Sequence, residues 1–558
     1  MHIGVDVGGT YTDAVLLENN QIRASAKAPS GGNLLSSILD AIDTVLQGVD
    51  TSRLKRIVFS TTMITNLIAE RKYDRVALLL MPGPGLVHSY YQFNTLTRIL
   101  TGTVDYRGRE IVSLNEQEVV AALAEVAVQG FKKVGVIGKF SPRNSAQERR
   151  LALLIKEKYP DWEVELGYQA GGQLNFPRRV VTTYLTSATR DAYHNFVNLV
   201  RQALEQRHIT AEVFILKADG GTLPLDYSEK MPVETIFSGP AASTLGALAL
   251  TSQGETAVVA DIGGTTTDLS LILSGQPLLS AKGARIEGQL TQVRTLAVKS
   301  VPVGGDSVVE RVGNEIIIHG KRMGPAYCMG GPVPTPTDAL RVLGLTTLGN
   351  QDRALEAMAL LGEQTDSDVV ARRVVNLVVE SIASQINQMF LEWEQEPAYR
   401  VWEVMQKRKA WRPSTVVGVG GGAKGLVERI ADNLGCRFII PPYASVANAV
   451  GAAVAKTTLQ LSLRADTEQG SYVLLEVGYK GNIENRQQFN EQIAMDLVKQ
   501  HLIQMATRYG LDVKADQLEI TRQEVFNMVR DWHTSGRIID ITVQTPRGIT
   551  GRIGMGEQ

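Results

Sequence analysis

One pattern occurs twice in this chain. Near its start the sequence reads Asp6-Val7-Gly8-Gly9-Thr10-Tyr11-Thr12-Asp13, and far downstream it reads Asp261-Ile262-Gly263-Gly264-Thr265-Thr266-Thr267-Asp268. Each copy lies between short apolar runs: Ile3 to Val5 and Ala14 to Leu17, then Val258 to Ala260 and Leu269 to Leu273. Strand, Gly-rich turn, strand is the prediction for both. A single such turn is weak evidence, because Gly-rich hairpins are common. Two copies with the same spacing of Asp, Gly, Gly, Thr, Thr and Asp point to a shared task. Glycines let backbone N–H groups reach a bound anion, threonine hydroxyls add donors, and aspartates hold a hydrated cation or orient a water. Two such loops facing each other would grip the phosphates of one nucleotide.

A length of 558 residues exceeds what one core accommodates and gives a prior of roughly three to four domains. The chain is 44% hydrophobic and 21% charged, with a formal net charge of −1. That balance argues against nucleic acid or a membrane surface as a partner held mainly by charge. No apolar run reaches the about 18 residues of a spanning helix. The sequence enters its first strand without a basic-then-apolar leader, so a cytoplasmic location is expected. Two cysteines, Cys328 and Cys436, leave no disulfide framework and no cysteine-ligated cluster. Cys328 has no base beside it in sequence and reads as a packing residue, as does Cys436. The histidines, His88, His194, His319 and His533 among them, show no metal-ligand spacing.

Strand and helix signals alternate, which predicts an α/β chain. Strands are expected at Ile3 to Val7, Ala14 to Leu17, Arg56 to Phe59, Val76 to Leu80, Lys133 to Ile137, Val213 to Leu216, Val258 to Ile262, Leu269 to Leu273, Thr415 to Val419 and Arg437 to Ile440. Helices are expected at Leu34 to Leu46, Glu116 to Val128, after Pro177, at Ser243 to Leu250, Asp368 to Trp393 with Ser367 as N-cap, Lys424 to Asn433 and Val446 to Ala455. From about residue 460 the pattern changes to strands Tyr472 to Val477 and Arg537 to Val543 around a helix near Gln488 to Arg508. Three units follow: 1–175, 176–457 and a small α+β appendage at 458–558.

A third Gly-rich element, Gly418-Val419-Gly420-Gly421-Gly422-Ala423-Lys424, follows a strand and opens a helix. Glycines there would let a nucleoside lie on the backbone beside a helix N-terminus; a plain strand-to-helix turn is the alternative. Two hairpins and a later Gly-Gly-Gly turn resemble the actin, sugar-kinase and heat-shock-chaperone ATPase superfamily. That likeness implies two ribonuclease H-like α/β domains with a nucleotide cleft between them.

Other segments resemble the hydantoinase A/5-oxoprolinase family more narrowly. They are Ser60-Thr61-Thr62-Met63-Ile64-Thr65-Asn66 through Arg71, Ala218-Asp219-Gly220-Gly221, Phe237-Ser238-Gly239-Pro240-Ala241-Ala242, Gly304-Gly305-Asp306-Ser307, Gly324-Pro325-Ala326-Tyr327-Cys328 and Pro334-Thr335-Pro336-Thr337-Asp338-Ala339. They follow the family's order from residue 1 to about 455.

The resemblance implies an ATP-dependent enzyme that opens a cyclic amide or imide by phosphorylating its carbonyl. Asp6 and Asp261 would hold hydrated Mg²⁺, and Asp13 or Asp268 would orient the nucleophile. Gly8, Gly9, Thr10, Thr12, Gly263, Gly264, Thr265 and Thr266 would meet phosphates, with Gly304 and Gly305 nearby. Gly420, Gly421, Gly422 and Lys424 would meet the nucleoside. Thr62 and Asn66 would supply donors near the transferred phosphate, with Arg71 balancing charge. A small-molecule cyclic amide or carbonyl substrate, a second, hydantoinase B-like subunit and an oligomer are also implied. The family's last Gly-rich turn usually ends in histidine where this chain has Val427, and the tail matches no family segment. Two further readings remain open: a kinase or carboxylase subunit that hands an activated carbonyl on, and a regulatory ATPase whose closure remodels a binding surface.

Overall fold

A computed structural model describes the chain except residues 31–32, 88–94, 172, 252–255, 363–364, 396–411, 531–532 and 555–558. Each Gly-rich hairpin seeds its own sheet. The first is His2–Val7 against Tyr11–Glu18, and its sheet runs Thr222–Pro224, Glu212–Leu216, Arg56–Thr61, His2–Val7, Tyr11–Glu18, Gln21–Pro29. The second is Ala257–Ile262 against Thr267–Leu273, and its sheet runs Gln276–Pro277, Thr267–Leu273, Ala257–Ile262, Thr415–Val419, Arg437–Ile439. In both, an antiparallel hairpin is followed by parallel strands on the first strand's other side. The repeat in sequence is thus a repeat of topology.

Strands 212–224 complete the first sheet, so that sheet extends past the expected division at 175/176. A separate four-stranded parallel sheet, Glu163–Leu166, Lys133–Gly138, Val76–Met81 and Thr97–Ile99, is inserted between the two parts. Val76–Met81 is buried at every position, as expected for a parallel strand covered on both faces. The helix Phe176–Glu205 carries the chain back, with Pro177 in its first turn, where its missing N–H costs no intrahelical bond.

Two short helices pack between the sheets. Ser238–Leu250 and Ala447–Val454 meet so closely that a Cβ on Gly246 would strike the Ala447 carbonyl, and one on Gly451 the Ala242 carbonyl. Ser238–Leu250 starts five residues earlier than its apolar pattern, because left-handed Phe237 (φ 57°) ends the approach and Pro240 fits the first turn. Asp366, one residue before Ser367, caps Ser367–Glu394 by accepting from Asp368 N at 2.9 Å.

The C-terminal unit is a five-stranded antiparallel sheet crossed by the helix Glu491–Arg508. It is no loose appendage. Leu461, Leu463, Ile539, Ile541, Val498 and Leu502 share one core with Ile3, Val5 and Leu16 of the first hairpin. The segment after its last strand returns over the two interface helices: Thr550 N donates to Val454 O at 2.7 Å and Ile553 N to Ala249 O at 2.9 Å.

Candidate functional site

The two hairpins superpose rung by rung. Asp6 stands opposite Asp13, and Asp261 opposite Asp268. Each turn closes on one backbone bond of 3.0 Å, Gly8 N to Tyr11 O and Gly263 N to Thr266 O. Thr12 and Thr267 are the equivalent inward threonines. Both are fully buried: the Thr12 hydroxyl meets Ser37 Oγ at 3.1 Å, and that of Thr267 donates to Val303 O at 2.7 Å. Thr12 therefore braces its hairpin and does not reach an open face as expected, because alternation along the strand turns it inward. Thr10 and Gly9 are exposed, and Thr265 and Thr266 are half-buried.

One residue joins the two copies. Asn448, at the start of the helix Ala447–Val454, donates to Asp6 Oδ2 at 3.2 Å and also hydrogen-bonds Asp261. Ser60 Oγ donates to Asp6, and Ser243 hydrogen-bonds Asp261. Burial pushes the Asp261 carboxyl up to about 7, helped by Asp268 and Asp6, against the bonds from Asn448 and Ser243. Burial raises Asp6 and Asp268 as well. Asp13 rises only to about 6, because Lys27 Nζ lies 2.7 Å from its carboxylate. Asp268 has no ion-pair partner among the described residues.

A second bridge crosses higher in the cleft. Arg322 lies 2.9 Å from Asp306 Oδ2 and donates to Thr10 Oγ1 at 3.3 Å. Asp306 belongs to the loop Gly304–Ser307, which sits on the second turn: Gly305 N donates to Gly263 O at 2.9 Å and Asp306 N to Gly264 O at 2.6 Å. A Cβ on Gly304 would lie 2.6 Å from the Gly264 carbonyl, so only glycine permits that approach. Gly305 is thus bonded to the hairpin it was expected to accompany, and Gly304 packs directly against it.

The other predicted residues surround the same cleft. Gly422 N donates to Ile262 O at 2.9 Å, and Gly420, at φ 83°, leaves no room for a Cβ beside Asp261. Gly421 has open space around it, and Lys424 is exposed at a break in the helix Ala423–Leu434. Thr62 N donates to Val7 O at 3.3 Å, and Asn66 Nδ2 donates to Thr62 Oγ1 at 3.4 Å beside Gly9. Ser238 Oγ donates to Thr61 O at 2.8 Å, tying the Phe237–Ala242 loop to this strand end. Arg71 lies at the other end of the helix Met63–Ala69, 3.5 Å from Glu287, and balances no charge in the cleft.

Asn448, Ser243 and Arg322 were not anticipated. Asn448 had one signal: a lone polar side chain in an otherwise small apolar helix.

Among the described residues no three His, Cys, Asp or Glu side chains gather as a preformed metal cage. Asp6 and Asp261 instead share one amide, and the strongly raised Asp261 carboxyl marks a place short of positive charge. That suits Mg²⁺, which keeps its waters and uses one or two carboxylates plus phosphate oxygens. Cys328 is buried, with its thiol pushed up to about 12 by burial and Asp338, which suits packing and not nucleophilic attack. Cys436 is partly buried and packs against the core of the second sheet, before the edge strand Arg437–Ile439. His194 and His319 pair with Glu229 and Glu310; His88 and the His533 side chain lie outside the description. No described helix is long and apolar enough to cross a membrane.

Comparison with known proteins agrees with this architecture. The hydantoinase/oxoprolinase N-terminal region model matches residues 2–159, and the hydantoinase/oxoprolinase model matches residues 179–461. The caprolactamase subunit alpha of Pseudomonas jessenii is 24% identical over 537 residues, covering 86% of this chain and 75% of that protein. The acetophenone carboxylase gamma subunit of Aromatoleum aromaticum is 25% identical over 390 residues, 61% of this chain and 53% of that protein. Among solved structures, the ATP-dependent caprolactamase from Pseudomonas jessenii superposes with a TM-score of 0.73 at 18% identity, covering 100% of this chain and 89% of that one. Nucleotide-free acetone carboxylase gives 0.73 at 16% identity, covering 98% and 87%.

Proposed function

We propose that this chain, which belongs to the hydantoinase/oxoprolinase family, is an ATP-dependent enzyme that opens a cyclic amide or imide by phosphorylating its carbonyl oxygen. The observation that carries this reading is the pair of matched hairpins joined by Asn448 below and Arg322 above. One nucleotide fits that arrangement, its phosphates between Gly8, Gly9 and Thr10 on one side and Gly263, Gly264, Thr265 and Thr266 on the other. Gly420, Gly421, Gly422 and Lys424 take the nucleoside. Asp6 and Asp261 would hold Mg²⁺, which would neutralise phosphate charge.

An amide resists water because resonance weakens the carbonyl as an electrophile and leaves a poor leaving group. Transfer of the γ-phosphoryl to its oxygen, with ADP departing, removes that protection. Water then adds to the carbon and gives up a proton, the C–N bond breaks as nitrogen takes one, and a second water releases phosphate. Asp268, raised by burial and without a cationic partner among the described residues, is better suited than Lys27-bound Asp13 to take the first proton. Asn66, beside Gly9, and Thr62, which accepts from it, would orient the carbonyl.

Assembly with a second, hydantoinase B-like subunit fits relatives that are themselves named as subunits. The likeness to acetone and acetophenone carboxylases favours one alternative, a carboxylase subunit that phosphorylates a ketone and hands it on. Mg²⁺-ATP hydrolysis against a panel of lactams, imides, hydantoins and ketones separates the two. Ring opening in step with ADP release is expected; ADP formation stimulated only by ketones would replace the amide reading with the alternative.

A further inference from the structure

The two hairpins and the loop seated on the second carry Asp6, Asp13, Asp261, Asp268 and Asp306. Among the described residues, two cationic side chains bond to this set. Lys27 is committed to Asp13 at 2.7 Å. The other is Arg322. A triphosphate brings still more negative charge to the same place, so a cation free to turn to it governs how firmly it is held.

The fold aims Arg322 across the cleft. It ends the strand Glu315–Arg322, which pairs antiparallel with Ser307–Val312. Ser307, the last residue of the loop on the second turn, stands opposite Arg322. The backbone of Arg322 is thereby fixed to the second half of the molecule, while its side chain reaches Thr10 on the first. Nε donates to Gly324 O at 3.0 Å, Nη2 lies 2.9 Å from Asp306 Oδ2, and Nη1 donates to Thr10 Oγ1 at 3.3 Å. Each terminal nitrogen keeps an N–H without a partner among the described residues.

These contacts differ in strength. Asp306 is an ionic anchor whose side chain is only 17% exposed. The bond to Thr10 is long for a charged donor and ends on a neutral hydroxyl of an exposed residue. The guanidinium is thus held tightly to the second half and loosely to the first, and at 30% exposure it remains open to a ligand.

We propose that Arg322 is the residue by which this cleft distinguishes a triphosphate from a diphosphate. Held by Asp306, its guanidinium takes the terminal phosphate in exchange for Thr10, whose hydroxyl then donates to the same group. Asp306 is its positioning residue. Because each half supplies one of these donors, the terminal phosphate joins the halves, and its transfer releases that link. The inference rests on the nucleotide reading of the cleft and adds to it the side chain that recognises the transferable group.

Calorimetric titration of a non-hydrolysable ATP analogue and of ADP, each with Mg²⁺, tests this through the ratio of their affinities. The wild-type chain is expected to bind the triphosphate at least about tenfold more tightly than ADP. Arg322→Gln should bind ADP within about twofold of wild type and lose the preference, and Arg322→Lys, which keeps the charge without the planar fork, should recover part of it. Asp306→Asn leaves the guanidinium without its ionic anchor and should weaken the triphosphate with little change for ADP. A residue that only latched the halves together would move both affinities alike. Equal affinity of the wild-type chain for the two nucleotides would overturn the proposal, and so would a wild-type ratio in Arg322→Gln or in Arg322→Lys. Failure of the wild-type chain to bind either nucleotide would instead remove the nucleotide reading on which the proposal stands.

Discussion

Asp6 and Asp261 occupy the same rung of two hairpins, each opposite a second aspartate and both on the amide of Asn448. Asp261→Asn keeps the shape but removes the charge that a cation needs and turns one acceptor oxygen into a donor. Its ATP turnover should fall by on the order of 10²–10³ in a steady-state assay, with a wild-type circular dichroism spectrum. Wild-type turnover would remove Asp261 from the site. The glycines differ in how cleanly they report. A side chain on Gly264 would lie 2.7 Å from Asp306 Oδ2 and disturb the supporting loop, whereas the nearest atom to a Cβ on Gly9 is Asn66 Nδ2 at 3.6 Å. Gly9→Val should therefore fold normally and lose nucleotide affinity by at least about tenfold, read by calorimetry.

At the scale of elements, the close contact of Ser238–Leu250 with Ala447–Val454 holds the two sheets in register. Gly451→Ala forces a methyl into the Ala242 carbonyl and should lower unfolding free energy by about 1–3 kcal/mol in a denaturant titration. An unchanged midpoint would show that the helices part without cost. This contact also marks where sequence reading ran out. The hairpins, the Gly-rich turn after Thr415–Val419 and most helices are local patterns, and they were legible. Asn448 and Arg322 act through packing between segments more than 300 residues apart, as in Arg322 to Thr10 (|i−j| = 312), and no local pattern records such a pairing. Thr12 was misplaced because a motif fixes residue types, while strand alternation fixes which side chains face the cleft. The sheet boundary at 212–224 was missed because the inserted parallel sheet separates its strands in sequence.

For the molecule as a whole, the raised carboxyls couple stability to pH. Asp13 and Asp261 keep their protons to about 6 and about 7 in the folded chain, above the unfolded value of 3.8. The folded state binds more protons between these limits, so their contribution to stability falls as pH rises from about 4 to 7. Mg²⁺ and nucleotide bound at these carboxylates would relieve that penalty, and the rise in thermal midpoint on their addition should be larger near pH 8 than near pH 6. An equal rise at both pH values would separate ligand binding from these carboxylates. The measurement that bears most directly on the central claim is calorimetric titration of a non-hydrolysable ATP analogue with Mg²⁺ into the wild-type chain, Gly9→Val and Gly421→Val. The account predicts one nucleotide per chain, lost in both variants although they alter different sheets. Two nucleotides per chain, or wild-type affinity in either variant, would contradict a single site shared by the two halves.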